Sequence, residues 1–497
     1  MTPASRAGGD DGIAALVPAP LAVPSPVRRA RRSATAAYAA QGFGFAVMLT
    51  NVPTYERYLG IGPDVITLVI LGVCVCAATG SALSGWLAAR FGSARVVTGG
   101  LLVAAAGILA VGLSAGAGLL ATFFLAFAVY GLALGSVDAS TSMQGIDVQR
   151  AYGRSLIAAF FAANAAGGVV GSLAVSGAAA LGLALPVSLA LVAAVVAVVV
   201  LVLRAGLLSR TAAVAVAGSV EGLAGSGAGA GASAGAGGRE VPDGAAPVTG
   251  PGAGSAVDGS GEVVAGAAGV AGVGAPRTPG ARGATGMVGA GTVIVLGIAM
   301  LAFPVADSAV SSWGATFLQG VLGASAVVGP LGFGAYQATL ICSRLLGDRA
   351  VERWGRVRVV ALGGSVGVVG LGLVAVSPAW PLAVLGFAAT GLGLGVVAPM
   401  AFSAAGDRAA EAVAGVAAPG ARTDLPTVED ATDRAVARLN VFTYVGAVLG
   451  GAMTGVFATT DALRAGFGVL AVLALATVLL AGRFREAVLP PDAPGRA

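Results

Sequence analysis

Apolar runs of about 18 residues or more, the length of a membrane span, recur along this chain from about residue 35 to about residue 482. One long stretch of small and polar residues interrupts them. A helix of that length crosses roughly 30 Å of hydrocarbon, and lipid admits only helices or closed barrels, since every backbone N–H and C=O must be satisfied within the protein. Barrel strands would alternate apolar and polar residues at period two; these runs do not, so they read as helices. Only 10% of the residues are charged and 57% are hydrophobic, whereas soluble domains are about 25% charged. The outer surface therefore meets lipid.

Glycine, proline and charge punctuate the runs into two groups of six. The first group falls near 35–53, 64–88, 95–115, 117–148, 155–180 and 184–206, the second near 288–318, 328–350, 357–377, 380–405, 434–458 and 462–482. The expected fold is an all-α membrane protein of twelve transmembrane helices in two six-helix halves, 35–207 and 287–483. Residues 1–34 read as a disordered cytoplasmic tail without the apolar core and cleavage site of a removable signal peptide, and 484–497 as a second tail. Residues 208–286 are rich in Gly, Ala, Ser, Val and Pro, with Gly-Ala texture from Gly225 to Gly237. Such a segment has few bulky side chains to bury and reads as a flexible cytoplasmic linker. No Gly-Lys-Ser/Thr follows it, which argues against a phosphate-binding loop.

All 28 basic residues are arginine, there is no histidine, and the net charge is +5. With the N-terminus inside, the inner loops carry Arg90, Arg95, Arg150, Arg154, Arg204, Arg210, Arg349, Arg353, Arg356, Arg358, Arg408, Arg422 and Arg434, while the outer ones keep Arg57 and Arg464. This is the positive-inside pattern of a multi-pass protein of a bacterial plasma membrane with both termini cytoplasmic. It accounts for the charge without a nucleic-acid partner. Cys74, Cys76 and Cys342 lie in apolar helices without zinc-site spacing and read as small buried hydrophobes. No metal or cofactor is expected.

The turn after the second run reads Gly85-Trp86-Leu87-Ala88-Ala89-Arg90-Phe91-Gly92-Ser93-Ala94-Arg95. It is similar to the G-x-L-x-D-R-x-G-R-R signature of the major facilitator superfamily, matching at Gly85, Leu87, Arg90 and Gly92, with Ala89 in place of the acid and Ser93 in place of a basic residue. In the second half, Arg344-Leu345-Leu346-Gly347-Asp348-Arg349, followed by Arg353-Trp354-Gly355-Arg356, resembles the counterpart. The stretch from Gly135 to Gly145, with Asp138 and Gln144 and with Ser142 for the usual Asn, looks like the fourth-helix pattern of the fucose-permease-like, sugar-transporter-related branch. Trp313 and the Asn440–Gly446 segment look like its seventh and eleventh helices. The resemblance implies a secondary active transporter that moves a small polar solute by alternating access between its halves. A charged gate would sit at Gly85, Arg90, Gly92, Arg344, Gly347, Asp348 and Arg349, with Arg344 and Asp348 able to pair at i, i+4. Alternatives are an efflux pump for a lipophilic metabolite and, in another class, a non-transporting receptor or sensor.

Few groups could carry chemistry in hydrocarbon. A charge at a helix centre costs about 2.5–3.5 kcal/mol on insertion scales and so usually faces a cavity or a partner. Asp138 and Asp307 lie farthest from the predicted helix ends, one in each half, and are the candidates for proton coupling. Gly131, Gly135, Asp138 and Ser142 form one stripe of the fourth helix, and Pro304 precedes Asp307 in the seventh, where it predicts a kink. Asn51, Ser142, Asn164, Gln337, Asn440 and Tyr444 are the candidate substrate contacts. With no histidine and no paired acids at catalytic spacing, an enzyme is not expected. Expected partners are the bilayer, a small-molecule substrate, and protons or another ion.

Overall fold

The computed structural model describes residues 25–152, 156–208, 289–416, 428–456 and 462–486. The first half comprises α1 (Ser25–Thr50), its short continuation α2 (Val52–Leu59), α3 (Pro63–Phe91), α4 (Ser93–Gly116), α5 (Leu120–Tyr152), α6 (Ile157–Ala180) and α7 (Leu185–Leu203). The second comprises α8 (Ala290–Thr316), α9 (Leu331–Trp354), α10 (Arg356–Val376), α11 (Trp380–Leu394), α12 (Val397–Val416), α13 (Val428–Val456) and α14 (Ala462–Leu480). Among the described residues there are no strands.

Local chemistry sets the ends. Proline opens α2, α3, α7 and α11, where its missing N–H is one that a first turn leaves free. The turns α3–α4 and α9–α10 are alike: Gly92 and Gly355 have φ of 87° and 77°, and each donates its N–H at 2.8 Å to the carbonyl four residues back. Only glycine takes that backbone without strain.

Helix neighbours repeat between the halves. In the first, α1 packs on α6, α3 on α5, and α4 on α5 and α7. In the second, α8 packs on α13, α9 on α11, and α10 on α11 and α14. The halves meet where α6 lies along α9 and α3 along α13. Close crossings rest on small residues: a methyl group at Gly135 would run into the Ala77 carbonyl, and one at Gly167 into that of Ala39. Without a hydrophobic force between helices in lipid, such backbone approach supplies the packing.

Nine helical stretches among the described residues are long and apolar enough to cross a membrane. Helices α1, α9 and α13 fall outside that set; they carry Arg28–Arg32, Arg344–Arg353 and Glu429–Arg438. The arginines gather at one end of the bundle, referred to below as the arginine-rich end. Of the two at the other end among the described residues, Arg464 caps α10, its Nη1 donating to the carbonyls of Ser377 at 2.6 Å and Ala375 at 3.2 Å. A cation suits the negative end of the helix dipole.

Several expectations are corrected. The first helix begins at Ser25 rather than near 35, so Arg28, Arg29, Arg31 and Arg32 are helical, and the Arg31 guanidinium lies 5.3 Å over the Tyr152 ring. The helix expected at 380–405 is broken after Leu394, where Gly395 is wedged against Ser343 of α9. As expected, Pro304 lies inside α8, where Gly446 packs against it. Cys342 faces outward, where a small apolar group suits lipid as well as it suits a core. The expected linker 208–286 lies outside the described residues except for Leu208, which is buried. The tails likewise fall outside them, apart from residues 25–34 and 484–486.

Candidate functional site

Each half holds a polar cluster inside its helices. In the first half, Gln41 of α1 donates from Nε2 to Asp138 Oδ1 of α5 at 2.8 Å. Thr141, one turn on, reaches the Gln41 amide oxygen at 3.5 Å. Tyr38 lies one turn before Gln41 on α1, its ring stacked on Phe160 of α6 at 5.4 Å, and its hydroxyl borders Gly145. Ser142 turns back to the Asp138 carbonyl at 2.9 Å. Thus the α5 stripe read from the sequence brings Asp138 to α1, and the residue that meets it there, Gln41, had no motif to announce it.

In the second half, Asp307 of α8 is 2% exposed and faces the Tyr336 hydroxyl and the Arg344 guanidinium of α9. Arg344 lies 5.9 Å over the ring of Phe303, one turn before Asp307 on α8. No direct ion pair joins Arg344 to Asp307 among the described residues, and Arg344 Nε and Nη2 are buried without a hydrogen-bond partner. Gln337 is buried beside Gly168 of α6, at the seam between the halves, and its Oε1 also lacks a partner. Gln337 and Arg344 are seven residues apart and share one face of α9.

The expected pair of Arg344 with Asp348 does not form. Asp348 and Arg349 are exposed at the arginine-rich end, and Arg349 donates to the Leu345 carbonyl of its own helix at 3.4 Å. Gly347 is buried against Val396. Gly85 and Arg90 are exposed on α3. Matching the turn glycines Gly92 and Gly355 aligns Arg90 with Arg353, and Ala89 with Glu352, so the second-half acid stands one turn beyond Asp348.

Two of the candidate substrate amides are spent on structure. Asn51 sits between α1 and α2, its Nδ2 donating to the Val47 carbonyl at 2.9 Å. Asn164 donates to the Tyr38 carbonyl at 3.2 Å and ties α6 to α1. Asn440 and Tyr444 fall within α13, but their side chains lie outside the described residues. Trp313 is fully buried and bridges α8 to α13, its Nε1 donating to the Gly451 carbonyl at 3.1 Å.

Contacts between the halves cluster toward the arginine-poor end. There Arg57 Nη1 reaches Gln319 Oε1 at 3.4 Å, Phe45 approaches Phe333 with ring centres 6.4 Å apart, Gly334 packs on Ser172, and Gly451 on Ile70. At the arginine-rich end the strongest polar contacts stay within a half. Gln144 joins Ser93 and Leu208, and Arg356 joins Asp407 and Glu486.

Comparison with known proteins agrees with this architecture. The sequence profile of the Major Facilitator Superfamily matches residues 34–421. An uncharacterized transporter, y4wD, of Sinorhizobium fredii (strain NBRC 101917 / NGR234) is 27% identical over 189 residues, 38% of this chain and 45% of that protein. The chain thus spans less than half the length of that relative. Among solved structures, the nucleoside transporter NupG superposes with TM-score 0.57 at 13% identity, covering 93% of this chain and 98% of its own. A D-xylose–proton symporter superposes with TM-score 0.56 at 15% identity, covering 92% and 97%. At those identities the superpositions speak for the fold, while the profile covers most of the sequence: this chain is a multi-pass membrane protein of the Major Facilitator Superfamily.

Proposed function

We propose that this protein is a secondary active transporter that moves a small polar solute across a bacterial plasma membrane by alternating access, coupled to protons. In this reading the bundle crosses the membrane twelve times, with the arginine-rich end and both termini in the cytoplasm. The halves, in contact toward the arginine-poor end, then form an inward-facing state, and Arg57 with Gln319 belongs to the outer closure.

The observation that carries the reading is the pair of interior carboxylates, one in each half, each set among polar side chains contributed by a second helix. Asp138 accepts from Gln41, and Asp307 faces Tyr336 and Arg344. Acids held this way in hydrocarbon are costly, and a site shared between two repeats is where such transporters bind solute and coupling ion. With no histidine in the chain, these carboxylates are the natural proton carriers.

The test is uptake into proteoliposomes, with and without a pH gradient, over a panel of sugars and other metabolites. Asp138→Asn and Asp307→Asn should each abolish concentrative uptake while leaving exchange at equal pH at least partly intact. Normal accumulation by both variants would make the protein a facilitator or assign its coupling to another ion.

A further inference from the structure

We propose that Arg344 is the receptor for an anionic group on the solute, which makes the substrate a small organic acid bearing a carboxylate. The inference rests on the transport reading and names its substrate class.

The guanidinium atoms left without partners are Nε and Nη2. These two share one edge of the guanidinium, and their N–H bonds point the same way, so together they fit the two oxygens of a carboxylate. The Arg344 guanidinium carbon lies 5.9 Å over the centre of the Phe303 ring, a contact that steadies the cation without supplying a hydrogen-bond acceptor. Among the described residues no carboxylate pairs directly with Arg344: Asp348, four residues on, makes no ion pair with it, and Asp307 faces it without one. Two buried donors left empty on one edge are expensive, and a carboxylate on the solute would satisfy both at once.

Position points the same way. Arg344 shares its face of α9 with Gln337, which lies against Gly168 of the other half, so the stripe runs along the seam that alternating access opens. The unpartnered Oε1 of Gln337 is an acceptor for a hydroxyl on the same solute. Asp307 sets the condition for binding. Ionised, it competes with the solute for Arg344; protonated, it leaves the guanidinium charge to the solute, which links solute and proton.

The full chain in lipid nanodiscs would be tested with matched probes: benzoate against benzamide, D-gluconate against D-sorbitol, and inorganic phosphate. Two readouts are taken, the thermal-unfolding midpoint and the rate of phenylglyoxal labelling at Arg344, read by peptide mass spectrometry. The acids should raise the midpoint and slow labelling of Arg344, and their neutral mates should do neither. Arg344→Gln should lose the shift, and Arg344→Lys, which keeps the charge but not the two-pronged edge, should retain only part of it. The proposal is overturned if no acid slows labelling of Arg344, if Arg344→Gln keeps the shift, or if phosphate alone protects. Should Arg344→Gln fail to fold, labelling of the parent protein still decides. Concentrative uptake of sorbitol that Arg344→Gln leaves intact would preserve the transport reading and overturn this one. Acid binding at Arg344 without movement of any solute would do the reverse.

Discussion

Arg356, the first residue of α10, donates from Nη1 to Asp407 Oδ2 on α12 at 2.7 Å. The other half repeats the arrangement in neutral form: Gln144 of α5 donates from Nε2 to Ser93 Oγ, at the first residue of α4, also at 2.7 Å. The two residues of each pair are 51 positions apart. Each pair follows a turn glycine with positive φ and is completed by the chain leaving the last helix of its half. Leu208 exchanges hydrogen bonds with Gln144, and Glu486 accepts from the Arg356 N–H. This repeated clamp ties three helices of each half at the arginine-rich end.

The charged clamp should be the more sensitive to truncation. The side chains of Arg356 and Asp407 are 10% and 30% exposed, and Arg356 Nε is already buried without a partner. Asp407→Ala leaves that guanidinium uncompensated and should cost about 1–3 kcal/mol, below the figure for a fully buried pair because Asp407 reaches water. Asp407→Asn keeps an acceptor and should cost less. Thermal unfolding in detergent checks the order; equal midpoints for the parent and both variants would dismiss the clamp as a source of stability.

Stability should also depend on pH through Glu56, at the arginine-poor end. Burial pushes its carboxyl up to about 7 from an ordinary value of 4.5, against the opposing pull of Arg57. The native state therefore binds this proton more tightly than the unfolded chain does. The resulting stability is fully present below about 4.5 and is lost as pH rises through about 7. Glu56→Gln should flatten that fall, so its advantage over the parent grows between those two values. A parent and variant with parallel pH profiles of unfolding would count against it.

Helix crossing depends on the absence of a side chain at Gly135. In an ordinary helix, Gly→Ala is favourable by about 1 kcal/mol. At Gly135 the added methyl meets the Ala77 carbonyl, so Gly135→Ala should instead destabilise by about 1–3 kcal/mol, the cost of overpacking. Gly177→Ala, on α6 where a methyl meets nothing within 4 Å, is the control and should be neutral or stabilising. Comparing their unfolding midpoints tests the reading; similar values for the two would mean that α3 and α5 can separate freely.

Orientation is open to a direct measurement. Reporter fusions after Gly60, Gly250 and Thr460 should read outside, inside and outside, following the arginine distribution. An external signal at Gly250 would invert or break the twelve-span topology proposed above.

Much of the fold could be read from the chain because lipid imposes a local rule. A span that faces lipid needs a long, mostly apolar helix, so the two helix groups, the turn at Gly92 and the intrahelical places of Asp138 and Asp307 were all visible as linear patterns. The choice of partners was not. Spacing offered Asp348 to Arg344, but an i, i+4 pair is worth only about 0.2–0.5 kcal/mol, and the packing of α8 on α9 turned the guanidinium to Phe303 and Asp307 instead. In the same way Gln41, an unremarked amide of the first helix, became the partner of Asp138. Asn51 and Asn164, which looked equally free, were taken up by the carbonyls of Val47 and Tyr38. Apolar length is a property of one segment in one solvent. Which buried polar atom finds which partner depends on helices brought together across the whole chain, and unequal desolvation, rather than spacing, decides among the candidates.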